Sequence, residues 1–527
     1  MAERLNPAGG TVQVGPVLIT APGLTGQAEY LPPGLPGTRA AEQTSPGFLQ
    51  ALDAAGYLEQ FSVVVADPRE TDGNGGTRAA GGGDEVTLRV PGPGAGFAQV
   101  MLYTAEDGTL SWHLPDELAS DGAGQDGAGQ DGAPVAPTTR AGDVRTYRVP
   151  RVVSPVPARD PSAGAPAQRG VVGMLAKKVF KVLAFPLVER TGEFVAERIA
   201  LNWEAEHRPH RLRTFSTGDQ TGPGTDLTPA HWDELTKGRA LLFVHGTFSS
   251  IRGGFGGLPA ATLDALHANY GGRVFGFDHP TLASSPRDNV AWLAGQFTAN
   301  IPAGRTLDVD LISHSRGGLV VRELCEFGSG PGGAGGLGGL GDRFRAGTAV
   351  LVASPNAGTA LADVKYWKTW LDRVTNVLQL LPDNPVTDTL DAVLTVLKHL
   401  AVGAVRGLDG LNAMDPKGAY LTGRLNKQHG WPPASGERTR YYAVASNYEP
   451  AAGSPLARVT KDGVVDLVFG EAGNDLVVPT DGVATVPGAG GFPIEQKLVL
   501  DPGASIEHSH YWTNPQCTAQ LSAWLTG

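Results

Sequence analysis

The segment Leu307-Asp308-Val309-Asp310-Leu311-Ile312-Ser313-His314-Ser315-Arg316-Gly317, continued by Gly318-Leu319-Val320-Val321 and Leu324, decides how the rest of the chain is read. Leu307 to Ile312 has the pattern of a strand, and Gly317 to Phe327 carries apolar residues at helical spacing, so a strand passes through a short turn straight into a helix. A turn this tight tolerates only small residues two before and two after its central serine, and Ser313 and Gly317 meet that demand. Ser315 is thereby lifted clear of the turn, with its hydroxyl at the amino end of a helix, where partial positive charge favours an anion. A short match of this kind counts for little in a chain with 73 glycines, and a plain turn serine is the competing reading. The strand before it and the helix after it are what point to a nucleophile.

From Thr236 onward, strands and helices alternate around this segment, as in a parallel sheet covered on both faces. Strands are expected at Ala240–Val244, Arg273–Phe277, Leu307–Ile312, Thr348–Val352, Arg440–Ala445 and Gln496–Leu500. Helices are expected at Ala260–Asn269, Pro286–Ala299, Gly317–Phe327 and Pro515–Leu525. The glycine-rich stretch Gly328 to Gly341 falls between a helix and a strand, where a surface loop is tolerated.

Upstream, Leu241-Leu242-Phe243-Val244-His245-Gly246-Thr247-Phe248 is an apolar strand ending in His-Gly. Together with the Ser315 turn, it resembles the α/β-hydrolases of the lipase and esterase type, over about residues 227–527. The resemblance implies an α/β-hydrolase fold, a mostly parallel sheet flanked by helices, and acyl transfer with backbone N–H donors aimed at a developing oxyanion. Carried onto this chain, those substrate-binding donors are Thr247, with Phe248 as a further candidate, and Arg316. His245 is then a structural or oxyanion-loop histidine, because the family places its catalytic base last in the chain.

Three further stretches resemble lipase segments in the same order. Ala353-Ser354-Pro355-Asn356-Ala357-Gly358-Thr359 resembles the turn after the next strand, although Asn356 replaces the usual histidine. Gly410, Leu411 and Met414 through Leu425-Asn426 resemble the return from a lid. Asn474-Asp475-Leu476-Val477-Val478-Pro479 is similar to the turn that carries the triad acid, which nominates Asp475, with Asp481 in reserve. After it only His508 and His510 are available as base, and an apolar residue three positions on, Tyr511, favours His508 over His510. The resemblance thus implies Ser315, His508 and Asp475 as catalytic residues, an acyl-enzyme intermediate, and no need for a metal or organic cofactor.

Between about 360 and 430 the strand pattern gives way to apolar helical stripes, Tyr366, Trp367, Trp370, Leu371, Val374, Leu378 and Leu381, then Leu390, Val393, Leu394, Leu397 and Leu400. In the family a lid or cap is inserted here, which implies a lipid-like acyl ester substrate and opening at an interface. The same periodicity suits a helix packed into a core, and spacing alone does not separate the two.

Residues 1–153 differ in texture. Short apolar runs at Val17–Ile19, Phe61–Val65, Val86–Val90, Val100–Tyr103 and Tyr147–Val149, punctuated by Gly and Pro, suit a smaller β-rich module, with one helix at Gly47–Tyr57. Residues 121–134 repeat Asp-Gly-Ala-Gly-Gln and read as a low-complexity linker or loop. The stretch 154–226 reads as linker and helical connector, with a basic amphipathic helix over Val171–Leu187 that either packs on its own domain or lies on a membrane surface. His207 and His210 are spaced for a metal, yet Pro209 lies between them and no third ligand accompanies them, so they read as surface histidines.

A net charge of −11 with no Lys/Arg run argues against a nucleic-acid partner. Two cysteines, Cys325 and Cys517, build neither a disulfide framework nor a cysteine metal site. No secretory leader and no membrane-length apolar run is read, so the expected setting is soluble and cytoplasmic. Two other functions fit the same residues: an acyltransferase, thioesterase or amidase using the same triad, or an inert hydrolase scaffold whose working part is the β-rich module.

Overall fold

The computed structural model describes residues 2–33, 52–53, 56–71, 85–105, 110–116, 144–150, 177–186, 196–222, 224–328, 340, 343–362, 408–427, 439–449, 473–486, 492–504 and 506–526. The helix expected at Gly47–Tyr57, the repeat at 121–134, the loop at Gly328–Gly341 and the apolar lid stripes lie wholly or largely outside them. The chain divides into two compact units, Met1–Phe194 with Trp367–Val405, and Val195–Tyr366 with Arg406–Gly527.

Among its described residues the first unit is built mainly of strands, with helical residues at Leu52–Asp53 and Asp116. Ten strands, β1 (Ala2–Arg4), β2 (Val12–Val14), β3 (Val17–Thr20), β4 (Leu24–Leu31), β5 (Leu58–Glu70), β6 (Glu85–Pro91), β7 (Phe97–Thr104), β8 (Leu110–His113), β9 (Val144–Pro150) and β10 (Lys177–Pro186), form two antiparallel sheets. One has the order β1-β4-β5-β10-β7-β8 and the other β2-β3-β6-β9. Val63, Val65, Met101, Phe180 and Val182 from the first meet Val17, Ile19, Leu88, Tyr147 and Val149 from the second in one core, so the sheets pack face to face.

Strand β10 corrects the helix expected at Val171–Leu187. It sits between β5 and β7 and is buried along nearly its whole length. A strand buried on both faces shows a continuous apolar run rather than alternation, and such a run is indistinguishable by period from a buried helix. Its Lys178, read as an outward-facing lysine, is wholly buried and donates to the Tyr103 hydroxyl at 2.7 Å.

The second unit is a seven-stranded sheet in the order β11-β13-β12-β14-β15-β16-β17. These strands are β11 (Arg211–Thr214), β12 (Ala240–Val244), β13 (Val274–Asp278), β14 (Leu307–His314), β15 (Phe344–Val352), β16 (Arg440–Ser446) and β17 (Ile494–Leu500). Every neighbouring pair is parallel except β11 with β13. Helices α1 (Ala196–His207), α2 (Pro229–Leu235), α3 (Ile251–Phe255), α4 (Ala260–Asn269), α5 (Pro286–Asn300), α6 (Gly317–Phe327) and α7 (Pro515–Thr526) accompany it. Alternate residues of β12 divide between the faces: Ala240, Leu242 and Val244 pack with α2, α5 and α6, and Leu241 and Phe243 with α3, α4 and α7. That division is the physical reason a half-buried strand's alternation is lost here. The architecture is the α/β-hydrolase-like sheet expected from the sequence, and the expected strands and helices of this half recur within a few residues. The edge strand β11 and helices α1, α2 and α3 were not read; Arg-Leu-Arg-Thr is too short and polar to signal a strand.

Candidate active site

Ser315 follows the last residue of β14, where the backbone must reverse into α6. Its φ is +54°, a left-handed conformation costly for a residue with a side chain. Backbone bonds over-determine the turn: Ser315 N–H donates to Val352 O at 2.9 Å, and its own carbonyl accepts from Gly318 N–H at 2.9 Å. Close approach explains the small neighbours. A methyl group on Gly317 would stand 2.4 Å from Val244 O, and one on Gly246 would stand 2.6 Å from Ser315 Cβ. Ser313, where a glycine is more usual, is fully buried and spends its hydroxyl on Val350 O at 3.3 Å.

Two other loops reach the serine. His508 Nε2 lies 2.8 Å from Ser315 Oγ, and its Nδ1 lies 2.8 Å from Asp475 Oδ2. The main chain repeats the second contact, because His508 N–H donates to Asp475 O at 3.0 Å. His510, the alternative, instead faces Glu507 Oε1 at 2.8 Å and is half-buried. Asp481 is exposed at the start of a short helical turn and bonds to neither histidine.

Asp475 is fully buried yet satisfied. Its Oδ1 accepts from Val477 N–H at 3.0 Å and Val478 N–H at 2.7 Å, while Oδ2 takes the His508 ring and, at 2.9 Å, the hydroxyl of Tyr511. Burial pushes this carboxyl up, but His508 and the hydrogen bonds from His508, Val478 and Tyr511 outweigh it and hold the group below its ordinary value. Tyr511 entered the sequence reading only as a packing residue; its hydroxyl's partner is invisible without coordinates.

His314, next to the serine, places Nε2 2.8 Å from the carbonyl of His508, which makes Nε2 the protonated nitrogen, since a carbonyl only accepts. Burial lowers it to about 3, so it stays neutral. His245 ends β12, its Nδ1 2.9 Å from Gly246 O and its Nε2 accepting from His279 N–H at 3.1 Å. Burial holds His245 near 4, so a neutral ring pins the loop that follows it. In that loop Phe248 has a φ of +55° and donates its amide to Thr281 Oγ1 at 3.2 Å. The amides of Thr247 and Arg316 have no acceptor among the described residues. Gly246 lies against Ser315, so Thr247 follows one of the two touching residues along the chain and Arg316 follows the other.

The Arg316 side chain is fully buried and donates Nε to Gly410 O at 2.7 Å and a second nitrogen to Ser284 O. It thereby ties the Ser315 turn to the turn 281–284 and to the segment near Gly410. Glu204 of α1 braces the same turn, accepting from the amides of Thr281, Leu282 and Ala283. Asn356, in place of the family's usual histidine, bonds through Nδ2 to Val483 O at 2.7 Å and through its carbonyl to Asn426 at 2.8 Å. Away from the site, His210 is not a free surface residue: it stacks on Trp292 and lies 3.0 Å from Asn289 Oδ1. Among the described residues no cluster of His, Cys, Asp and Glu is arranged to hold a metal.

The family model described as "Domain of unknown function (DUF7379)" matches residues 207–526, more than half of the chain. The chain belongs to this family. The family span begins just before β11 and contains every residue of the site. Among curated proteins, none matches in sequence. Several solved structures are similar. Lipase BlEst2 of Bacillus licheniformis in its mature form is 20% identical, over 55% of this chain and 92% of that one, with a TM-score of 0.34. Lipase 1 of Pelosinus fermentans is 15% identical, over 55% and 97%, with a TM-score of 0.33. Phospholipase PlaB of Legionella pneumophila is 15% identical, over 55% and 60%, with a TM-score of 0.34. No helix among the described residues is long and apolar enough to cross a membrane.

Proposed function

We propose that the chain is a serine hydrolase of carboxylic esters. The observation that carries this reading is the continuous line of contacts from Ser315 Oγ to His508 Nε2, and from His508 Nδ1 to Asp475 Oδ2, each 2.8 Å long. In this mechanism His508 takes the Ser315 proton as Oγ attacks the ester carbonyl carbon, and Asp475 supports the imidazolium. The oxyanion is received by the amides of Thr247 and Arg316, whose lack of acceptors among the described residues supports that role. Phe248 belongs to the same loop but has its amide turned to Thr281. Collapse of the tetrahedral species breaks the ester C–O bond, and the leaving alcohol takes the proton from His508. Water, deprotonated by the same imidazole, then cleaves the acyl-enzyme to release the acid and free Ser315. The apolar stripes read between about 360 and 430 favour a lipid-like acyl group.

A fluorophosphonate probe tests the reading: the folded chain should be labelled at Ser315. Ser315→Ala should lose the label and lower p-nitrophenyl ester turnover on the order of 10³-fold or more. A folded wild-type chain that neither reacts nor hydrolyses any ester in a series of increasing acyl length would sink the proposal. Equal turnover across the series would remove the lipid-like acyl preference alone.

A further inference from the structure

Asp475 has one more partner than a Ser-His-Asp relay requires. Tyr511 begins the helical turn Tyr511–Thr513, three residues after His508, and is wholly buried. Its hydroxyl donates to Oδ2, the same oxygen that faces His508 Nδ1. Two amides hold Oδ1, so the tyrosine is not needed to satisfy the other side of the carboxylate. It acts on the oxygen that does the chemistry.

We propose that Tyr511 is a positioning residue that fixes the plane of the Asp475 carboxylate and shares the charge on Oδ2, tempering how tightly the acid holds the protonated base. This rests on the reading of Ser315, His508 and Asp475 as a catalytic relay. The donor is a stable one: burial, then the neighbouring Asp475 charge, pushes the phenol well above its ordinary range, so it remains protonated. The groups around His508 are few. Among the described residues, Asp475 faces one ring nitrogen and Ser315 the other, Tyr511 bonds to the same Asp475 oxygen, and the ring of His314 on β14 stands 4.9 Å away. Glu507 and His510 pair with each other on the same loop. Burial keeps His314 neutral down to about pH 3, so Asp475 is the charged group in direct contact with the base. Removing the phenol's donation leaves more negative charge on Oδ2 against His508 Nδ1, which favours the protonated ring.

The test is the rate of fluorophosphonate inactivation across pH for the full chain and for Tyr511→Phe, with thermal melting of both. Labelling at Ser315 should survive in Tyr511→Phe, with the acid limb of the profile moved up by about half a pH unit. The plateau rate should fall by roughly three- to tenfold as the ring loses its alignment. A ring-fluorinated tyrosine at position 511, a stronger donor of nearly unchanged shape, should move the limb the opposite way and serves if the phenylalanine variant does not fold. An acid limb that stays in place in the folded variants, whatever happens to the melting temperature, reduces Tyr511 to packing and overturns the inference. A folded wild-type chain that does not react at Ser315 overturns this inference and the functional reading together.

Discussion

His314 occupies the position immediately before Ser315, and its ring reaches the carbonyl of a residue 194 positions later in the chain. The strand that precedes Ser315 and the loop that carries His508 are therefore pinned by a side chain that need not touch a substrate. Replacing it with phenylalanine keeps a ring and strips the donor, leaving a part-buried carbonyl without its partner at a cost of about 1 kcal/mol. Urea unfolding of His314→Phe should show that loss, and ester turnover should drop with it because the His508 loop loosens. His314→Gln, which can still donate, should recover part of both; equal losses in the two variants would assign the effect to volume. The residue also illustrates what a sequence conveys about a site. Ser315, Asp475 and His508 stand in motifs whose neighbours are short-range and readable, so the sequence nominated the side chains that the fold brings together. His314 and Tyr511 act through partners remote in sequence, and nothing local announces them.

At the scale of elements, the turn between β14 and α6 is set by contact distances. A methyl group on Gly317 would meet two main-chain oxygens, Val244 O at 2.4 Å and His245 O at 2.6 Å, and backbone of a central strand cannot move aside. Gly317→Ala should therefore destabilise the second unit by about 1–3 kcal/mol or more and reduce labelling of Ser315. Gly295 in α5 is the contrasting case, exposed and with open space around it. Gly295→Ala should stabilise by about 0.5–1 kcal/mol through helix propensity, as read by the urea midpoint. Destabilisation by both, or by neither, would contradict this account. The same scale shows where pattern reading stops. β12 and β14 were legible because turn and helix signals bracket them. β10 was mistaken for a helix because Val179, Phe180, Val182 and Leu183 are all buried and the period is erased. The edge strand β11 was missed because half of its four residues are arginines.

Across the whole molecule, buried histidines make stability depend on pH. Burial lowers His245 to about 4, His314 to about 3, and His279 well below the ordinary 6.5. All three are neutral in the folded chain and protonate on unfolding once the pH falls below about 6.5, so the unfolded state binds more protons there and stability rises with pH. Each should subtract roughly 1.4 kcal/mol per pH unit of acidification within its window, from 6.5 down to its folded value. Above 6.5 these groups contribute no slope. Asp475, held low, loses its contribution further down, as pH falls through its own depressed value. Buried carboxyls act the other way, since burial raises Glu326 to about 7 and Glu204 above its ordinary value. The histidine contribution is therefore read as the change in pH slope of the denaturation midpoint, from neutral to pH 5, between the wild-type chain and His279→Asn; an unchanged slope would mean that this ring is solvated in the fold.

The separation of Ser315 from His508, 193 positions, carries one more consequence. During synthesis the ribosome delivers the hydroxyl long before the imidazole, and β16, β17 and the Asp475 turn must settle in between. Under the proposed mechanism, a nascent chain would hydrolyse no ester until its last elements dock, and a product cut short before His508 would be inert.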